Sequence, residues 1–307
     1  MEDGVQGPLV TIVEVSARDG LQNEAVEFST AEKTRLIEES VAAGLTRVES
    51  CSFVNPKRVP QMDDAEAVME GLSPTARAAS IGLVLNERGI DRAIAAGLPE
   101  INYVVVATET FSRRNQGMSV DENLAQLSRV IPRAKEAGIR TSVGISAAFG
   151  CPYEGEVSEA VIAELAKRIA ELQPEEIGLA DTIGAGVPPM VADRVGLTKE
   201  VIAGSSIGLR CHFHNTRNTG VANAYAAVLE GVRALDASIG GIGGCPFAPR
   251  ATGNVATEDL VFMLERSGYS TGVDLEALFA ITDWLGEKLG KPVPGLLSRA
   301  GNFPPAA

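Results

Sequence analysis

The stretch GLRCHFHN, residues 208–215, decides how the chain is read. It is a short, mostly apolar run that ends in polar side chains. A parallel strand buried on both faces looks like this when its carboxyl end opens on a site. His212 and His214 are the only 2 histidines of the chain. Alternate residues of a strand share a face, so the two imidazoles converge on one point while Cys211 and Phe213 face away.

Working outward from this run, seven more of the same kind follow the chain. The predicted strands cover 11–15, 47–52, 78–85, 101–107, 141–146, 176–180, 208–214 and 234–239. Helical patterns separate them. Ser29 with Glu32 offers a capping box for a helix that ends near Gly44. Asp121 is expected to cap a helix with Leu124, Leu127, Val130 and Ile131 on one face. Ser158 is expected to cap 159–172, and Thr257 to cap 258–266. Eight strand–helix units, at about 30 residues each, predict a (β/α)8 TIM barrel. The rival doubly wound sheet lacks support: no G-x-G-x-x-G joins a strand to a helix, and no G-x-x-x-x-G-K-[ST] occurs. A further helix is predicted at 275–289. The expected organisation is a single catalytic domain over 1–290 and a Pro/Gly-rich tail over 291–307, loose or acting as a lid.

Composition narrows the function. The 307 residues include 27 Lys and Arg against 40 Asp and Glu, a net charge of −13. With no basic cluster, this excludes nucleic-acid backbones and anionic membrane surfaces as partners. No apolar run approaches the roughly 18 residues of a spanning helix. The opening MEDGVQGPLV carries acidic residues and no charged-then-apolar pattern, so no export leader is expected there. Cys51, Cys151, Cys211 and Cys245 are widely spaced, which predicts free thiols in a reducing cytoplasm.

A barrel of this class carries its active site at the carboxyl ends of its strands. There His212 and His214 present two nitrogens, Asp19 adds a carboxylate from the first strand, and Asn254 can add an amide oxygen. A mixed N/O set with open positions suits Mg²⁺ or Mn²⁺, with Co²⁺ and Zn²⁺ also admissible. The plainer reading is a pair of packed, hydrogen-bonded histidines. Arg18, beside Asp19, is placed to stabilise an oxyanion; otherwise it is the cation of an ion pair with Glu14 or Glu49. Gln22 joins Arg18 as a candidate substrate-binding residue. Cys245 follows Gly240, Gly241, Gly243 and Gly244, so its thiol sits on a loop free to move and to transfer a proton; the plainer reading is a small buried hydrophobe. Lys57, Arg58, Arg113 and Arg114 either meet phosphates or simply solvate a surface.

Together EVSARDGLQNE (14–24), VESCSFVNPKRVPQM (48–62), GCPYEGEVS (150–158), LADTIGAG (179–186), HFHNT (212–216), GGIGGCPFAPRATGN (240–254) and VATEDLVFMLE (255–265) resemble the 3-hydroxy-3-methylglutaryl-CoA (HMG-CoA) lyase family of metal-dependent barrels. The resemblance implies Asp19, His212, His214 and Asn254 as metal ligands. It implies Arg18 as the enolate stabiliser, Cys245 as the loop thiol, and Glu49 and Asp181 as further active-site acids. An acyl-CoA substrate and a homodimer or homotetramer are implied with it. So is retro-aldol (Claisen-type) cleavage of HMG-CoA to acetoacetate and acetyl-CoA, with Asp19 or His212 as the base. On this reading Arg18→Met or Cys245→Ala cuts kcat by orders of magnitude with little loss of folding. The chain departs from the family pattern at Ser16-Ala17, where G-P is common, and at Asn215, where many members carry Asp. Asn215 and Arg217 leave the acyl group open. The alternatives are a lyase for another branched 3-hydroxy-3-methylacyl-CoA, a condensing synthase of the isopropylmalate type, and a non-catalytic metal-bound barrel.

Overall fold

The structure is a computed structural model that describes residues 7–244 and 253–304. Eight strands close into one ring: β1 (Thr11–Glu14), β2 (Arg47–Ser52), β3 (Ser80–Val84), β4 (Glu100–Val106), β5 (Arg140–Ser146), β6 (Glu176–Asp181), β7 (Gly208–Phe213) and β8 (Ala234–Ala237). All pairings are parallel and follow chain order, and β1 closes the barrel against β8 through Thr11–Ala234 to Glu14–Ala237. The expected (β/α)8 barrel is the fold.

The helices among the described residues are α1 (Thr30–Ala42), α2 (Ala65–Gly71), α3 (Pro74–Ala78), α4 (Glu87–Ala95), α5 (Glu109–Gln116), α6 (Val120–Glu136), α7 (Glu159–Ala170), α8 (Pro188–Val201), α9 (Gly220–Leu229), α10 (Thr257–Arg266), α11 (Leu275–Leu289) and α12 (Leu297–Ala300). Ser29 and Glu32 form the expected capping box on α1, and Ser158 caps α7. Two caps differ from expectation. Ser119, not Asp121, caps α6, because its hydroxyl and Glu122 complete a second capping box. Thr257 opens α10 rather than capping it, and its hydroxyl is spent on Glu14 at 2.6 Å. Strand β3 starts two residues later than predicted, since Ser73 and Pro74 start α3 and draw Ala78 into it.

The main apolar core lies between the ring and its helices, with Leu36, Ile90, Leu127, Ile162, Val195 and Leu260 on the inward helix faces. The barrel floor is charged instead. Arg47 bridges Glu100 and Glu176, and Arg140 adds to both. Val13, Val15 and Ile81 make a small apolar cluster of their own. Residues 291–304 lie along the barrel: the Leu296 and Leu297 amides donate to Asp259, the Gly295 amide donates to the Gly240 carbonyl, and Leu297 is buried. No helix is long and apolar enough to cross a membrane among the described residues.

Candidate active site

Beyond β1 the chain makes one wide turn, Ser16–Gly20, in which the Gly20 amide reaches back to the Val15 carbonyl at 3.0 Å. Such π-type turns recur at functional sites because they push side chains out of the regular path. Here the turn presents Arg18 and Asp19 over the ring. A Cβ on Gly20 would stand 2.9 Å from Ile242 and 3.0 Å from the Ser238 hydroxyl, so the turn sits this close to the end of β8 only because residue 20 is glycine.

His212 and His214 lie at the end of β7 with ring centroids 5.0 Å apart, while Cys211 and Phe213 are buried away from the cavity, as strand alternation requires. Residues 253–257 return across the strand ends. Val255 donates to the Phe213 carbonyl, Ser238 to the Val255 carbonyl, and His214 bridges Asn254. That return brings Asn254 to Asp19, with Nδ2 donating at 2.9 Å. One ligand atom each from Asp19, His212 and His214 lies within 4.8 Å of the others. The ends of the polypeptide therefore do meet at one point.

The donor set suits a divalent cation. Nδ1 of His214 and Oδ1 of Asn254 are buried with no hydrogen-bond partner among the described residues. Buried acceptors left unpaired are costly, and a cation removes that cost. Burial pushes the His214 imidazole down to about 3, helped by the charge of His212, so it stands as a neutral ligand. Burial raises Asp19, but the Arg18 guanidinium, with His212 and the Asn254 amide, outweighs it and holds the carboxyl below its usual range. Burial lowers His212, yet Asp236 more than offsets it, accepting from Nδ1 at 3.0 Å.

Arg18 resolves its two readings together. Nε donates to Glu49 at 2.9 Å, Nη2 also reaches Glu49, and Nη1 meets Asp19 at 2.8 Å. Glu49 is fully buried and receives Asn102 at 3.0 Å, so it acts on the site by fixing the guanidinium. Glu14, the other expected partner, does not reach Arg18. It ties the Ser16 and Ile239 amides to Thr257 and locks β1 to β8 and α10.

A cavity of about 630 Å³ opens above the ring, lined by Arg18, Asp19, Gln22, Asn102, His212, His214 and Asp236 among others. That is the size of an ordinary small-ligand site. Arg58 and Arg114 stand on its wall, whereas Arg113 pairs with Glu109 on the outside. Asp181 is not brought to it: its carboxylate accepts the Ala185 and Gly186 amides at 2.8 and 2.9 Å, because the adjacent Ala180 and Thr182 hold the inward positions of β6. Asn215 and Arg217 also stay out of the wall. Asn215 accepts from the Gly220 amide, and Arg217 donates to the Ile183 and Gly184 carbonyls. Cys245 lies outside the described residues. Sequence reasoning missed Asp236, Asn102 and Arg210. Each is a polar residue set among apolar ones in its strand, and that interruption was the available signal.

A closed parallel barrel with this acid–imidazole cluster at the carboxyl ends of its strands is the arrangement of a family of carbon–carbon lyases. The HMGL-like family model matches residues 9–285, and the chain belongs to that family. Among its relatives, (R)-citramalyl-CoA lyase of Chloroflexus aurantiacus is 43% identical over 302 residues, covering 95% of each chain. Hydroxymethylglutaryl-CoA lyase of Pseudomonas mevalonii is 41% identical over 281 residues, covering 92% of this chain and 93% of that one. The solved HMG-CoA lyase of Acinetobacter baumannii, in complex with coenzyme A and 3-methylmalate, superposes with a TM-score of 0.92 at 36% identity, covering 97% of each chain.

Proposed function

We propose that this lyase cleaves HMG-CoA to acetoacetate and acetyl-CoA, with a divalent cation, Mg²⁺ or Mn²⁺, held by Asp19, His212, His214 and Asn254. The observation that carries the reading is the convergence of Asp19 with both imidazoles beside the fixed Arg18 guanidinium. Bound there, the cation would supply the charge that makes a substrate hydroxyl acidic. Asp19 and His212 are the groups at that point able to accept the hydroxyl proton. Its electron pair then forms the ketone, the adjacent C–C bond breaks, and charge collects on the thioester oxygen. Arg18 uses 3 of its N–H donors on Glu49 and Asp19, and the rest of the fork stays available for that oxygen. Cys245 would deliver the proton that completes acetyl-CoA. Gln22 helps to seat the acyl chain.

A second reading is cleavage of citramalyl-CoA to pyruvate and acetyl-CoA, favoured by the 43% identity to the Chloroflexus lyase. The two substrates differ by one methylene between the carboxylate and the hydroxyl-bearing carbon. A condensing synthase and a non-catalytic barrel gain no support from these relatives. The test is acetyl-CoA release from each thioester, with and without EDTA. Release that EDTA stops and Mn²⁺ restores is expected, with acetoacetate or pyruvate as the co-product naming the substrate. No release from either thioester with metal supplied overturns the proposal. A homodimer or homotetramer, read by light scattering, and a cytoplasmic setting belong to the same reading.

A further inference from the structure

Two arginines are buried in the cavity wall, and they are not in the same state. Arg18 spends Nε and both outer nitrogens on Glu49 and Asp19. Arg210 spends Nε on Asp236 Oδ1 and Nη2 on Oδ2 at 2.9 Å, while its Nη1 has no hydrogen-bond partner among the described residues. The side chain is only 5% exposed. Glu176 stands 3.9 Å from Nη1, a long ion pair outside hydrogen-bond reach, and its oxygens accept from Arg47 at 3.0 and 2.8 Å. A charged nitrogen with two unspent N–H groups is thus held in the wall of a ligand cavity. Leaving such a donor unpaired is unfavourable, and an anionic group of a ligand removes the penalty.

The backbone keeps room for that group. Gly144, Gly178 and Arg210 are register partners on β5, β6 and β7, and all three line the cavity. At the level of Arg210 the next two strands therefore carry no side chain. A Cβ on Gly178 would come within 3.3 Å of the Gly144 Cα and narrow that space. Asp236 Oδ2 accepts from both Arg210 and His212, so the guanidinium lies one carboxylate away from the imidazole.

We propose that Arg210 Nη1 binds a free carboxylate on the acyl chain of the substrate. The preferred thioesters are then those with a carboxylate one or two carbons from the hydroxyl-bearing carbon, and neutral branched acyl-CoAs are poor ligands. The inference rests on the acyl-CoA reading of the cavity. It separates Arg210, which holds the acid end of the chain, from Arg18, which faces the thioester oxygen.

The test uses two thioesters that lack the hydroxyl and are not cleaved: 3-methylglutaryl-CoA, which carries the carboxylate, and 3-methylbutyryl-CoA, which does not. Their affinities for the full-length protein with Mn²⁺ are measured by calorimetry. The wild type is expected to prefer the acid by about tenfold or more, the range of a charge-assisted hydrogen bond. Arg210→Lys keeps a cation beside Asp236 but loses the planar fork. It should lose most of that preference, with the affinity for the acid falling much further than that for the neutral thioester. Gly178→Ala, whose Cβ enters the space and meets Arg210 only at its backbone carbonyl, 3.9 Å away, should show the same selective loss. Equal affinity of the wild type for both thioesters overturns the proposal, as does an equal drop for both in Arg210→Lys, the result of a merely structural role. Cleavage of hydroxylated thioesters by the wild type is scored separately. Its absence counts against the reaction, while the binding comparison still decides the role of Arg210.

Discussion

Removing the Arg18 guanidinium leaves the Glu49 carboxylate buried beside Asn102 with its cation gone. Breaking a buried pair from one side costs about 3–5 kcal/mol. Arg18→Met therefore loses stability as well as rate, contrary to the expectation from sequence that folding is spared. Chemical denaturation set beside kcat shows both losses. Arg18→Lys is the cleaner probe: it keeps a charge near Glu49, loses the fork, and should still lower kcat by about a hundredfold. Cys245→Ala should lower kcat with the unfolding midpoint unchanged. Asp236 fixes the orientation and tautomer of His212 through Nδ1. Asp236→Asn should weaken Mn²⁺ binding by about tenfold to a hundredfold, read by metal titration of the EDTA-treated protein. An unchanged metal affinity removes Asp236 from the site.

At the scale of elements, the start of α10 carries its own titration. Glu258 is buried, receives the Gly240 amide on Oε2, and leaves Oε1 without a partner among the described residues. Burial pushes its carboxyl up to about 8. The folded protein thus holds this proton more tightly than the unfolded chain. The contribution to stability is complete below the ordinary carboxylate range, near 4.5, and is lost as pH rises through about 8. Wild-type urea midpoints should fall between pH 6 and pH 9, and Glu258→Gln should flatten that fall.

The eight strands were legible because each is an apolar run between helical patterns. Element boundaries were less so: Ser73 starts a short helix that shortens β3, and Ser119 caps α6 where Asp121 also offered a cap. The convergence of His212 and His214 was legible from their spacing on one strand. Arg210 and Asp236 were not, because no local pattern shows which neighbouring strand a lone charged residue will face. Strand parity also keeps Asp181 out of the cavity, and a motif match alone does not carry parity.

For the whole molecule, the charge of −13 sets an anionic protein against the anionic CoA thioester of the proposed reaction. Arg58 and Arg114 on the cavity wall offset that locally, and Arg114 is steadied by its position 4.4 Å over the Tyr153 ring. Arg114→Glu should raise KM for a CoA thioester by about tenfold at low salt, less at high salt, with kcat unchanged. An unaltered KM would leave the two arginines as solvated surface.

The register that seats β1 on β8 has a last consequence, for how the protein is made. Asp19 leaves the ribosome early, while its imidazole and amide partners emerge some two hundred residues afterwards. A nascent or prematurely terminated chain therefore owns no reaction centre at all, however many of its strands have already settled. Catalytic competence requires the pairing of the first strand with the eighth, a contact of high sequence separation.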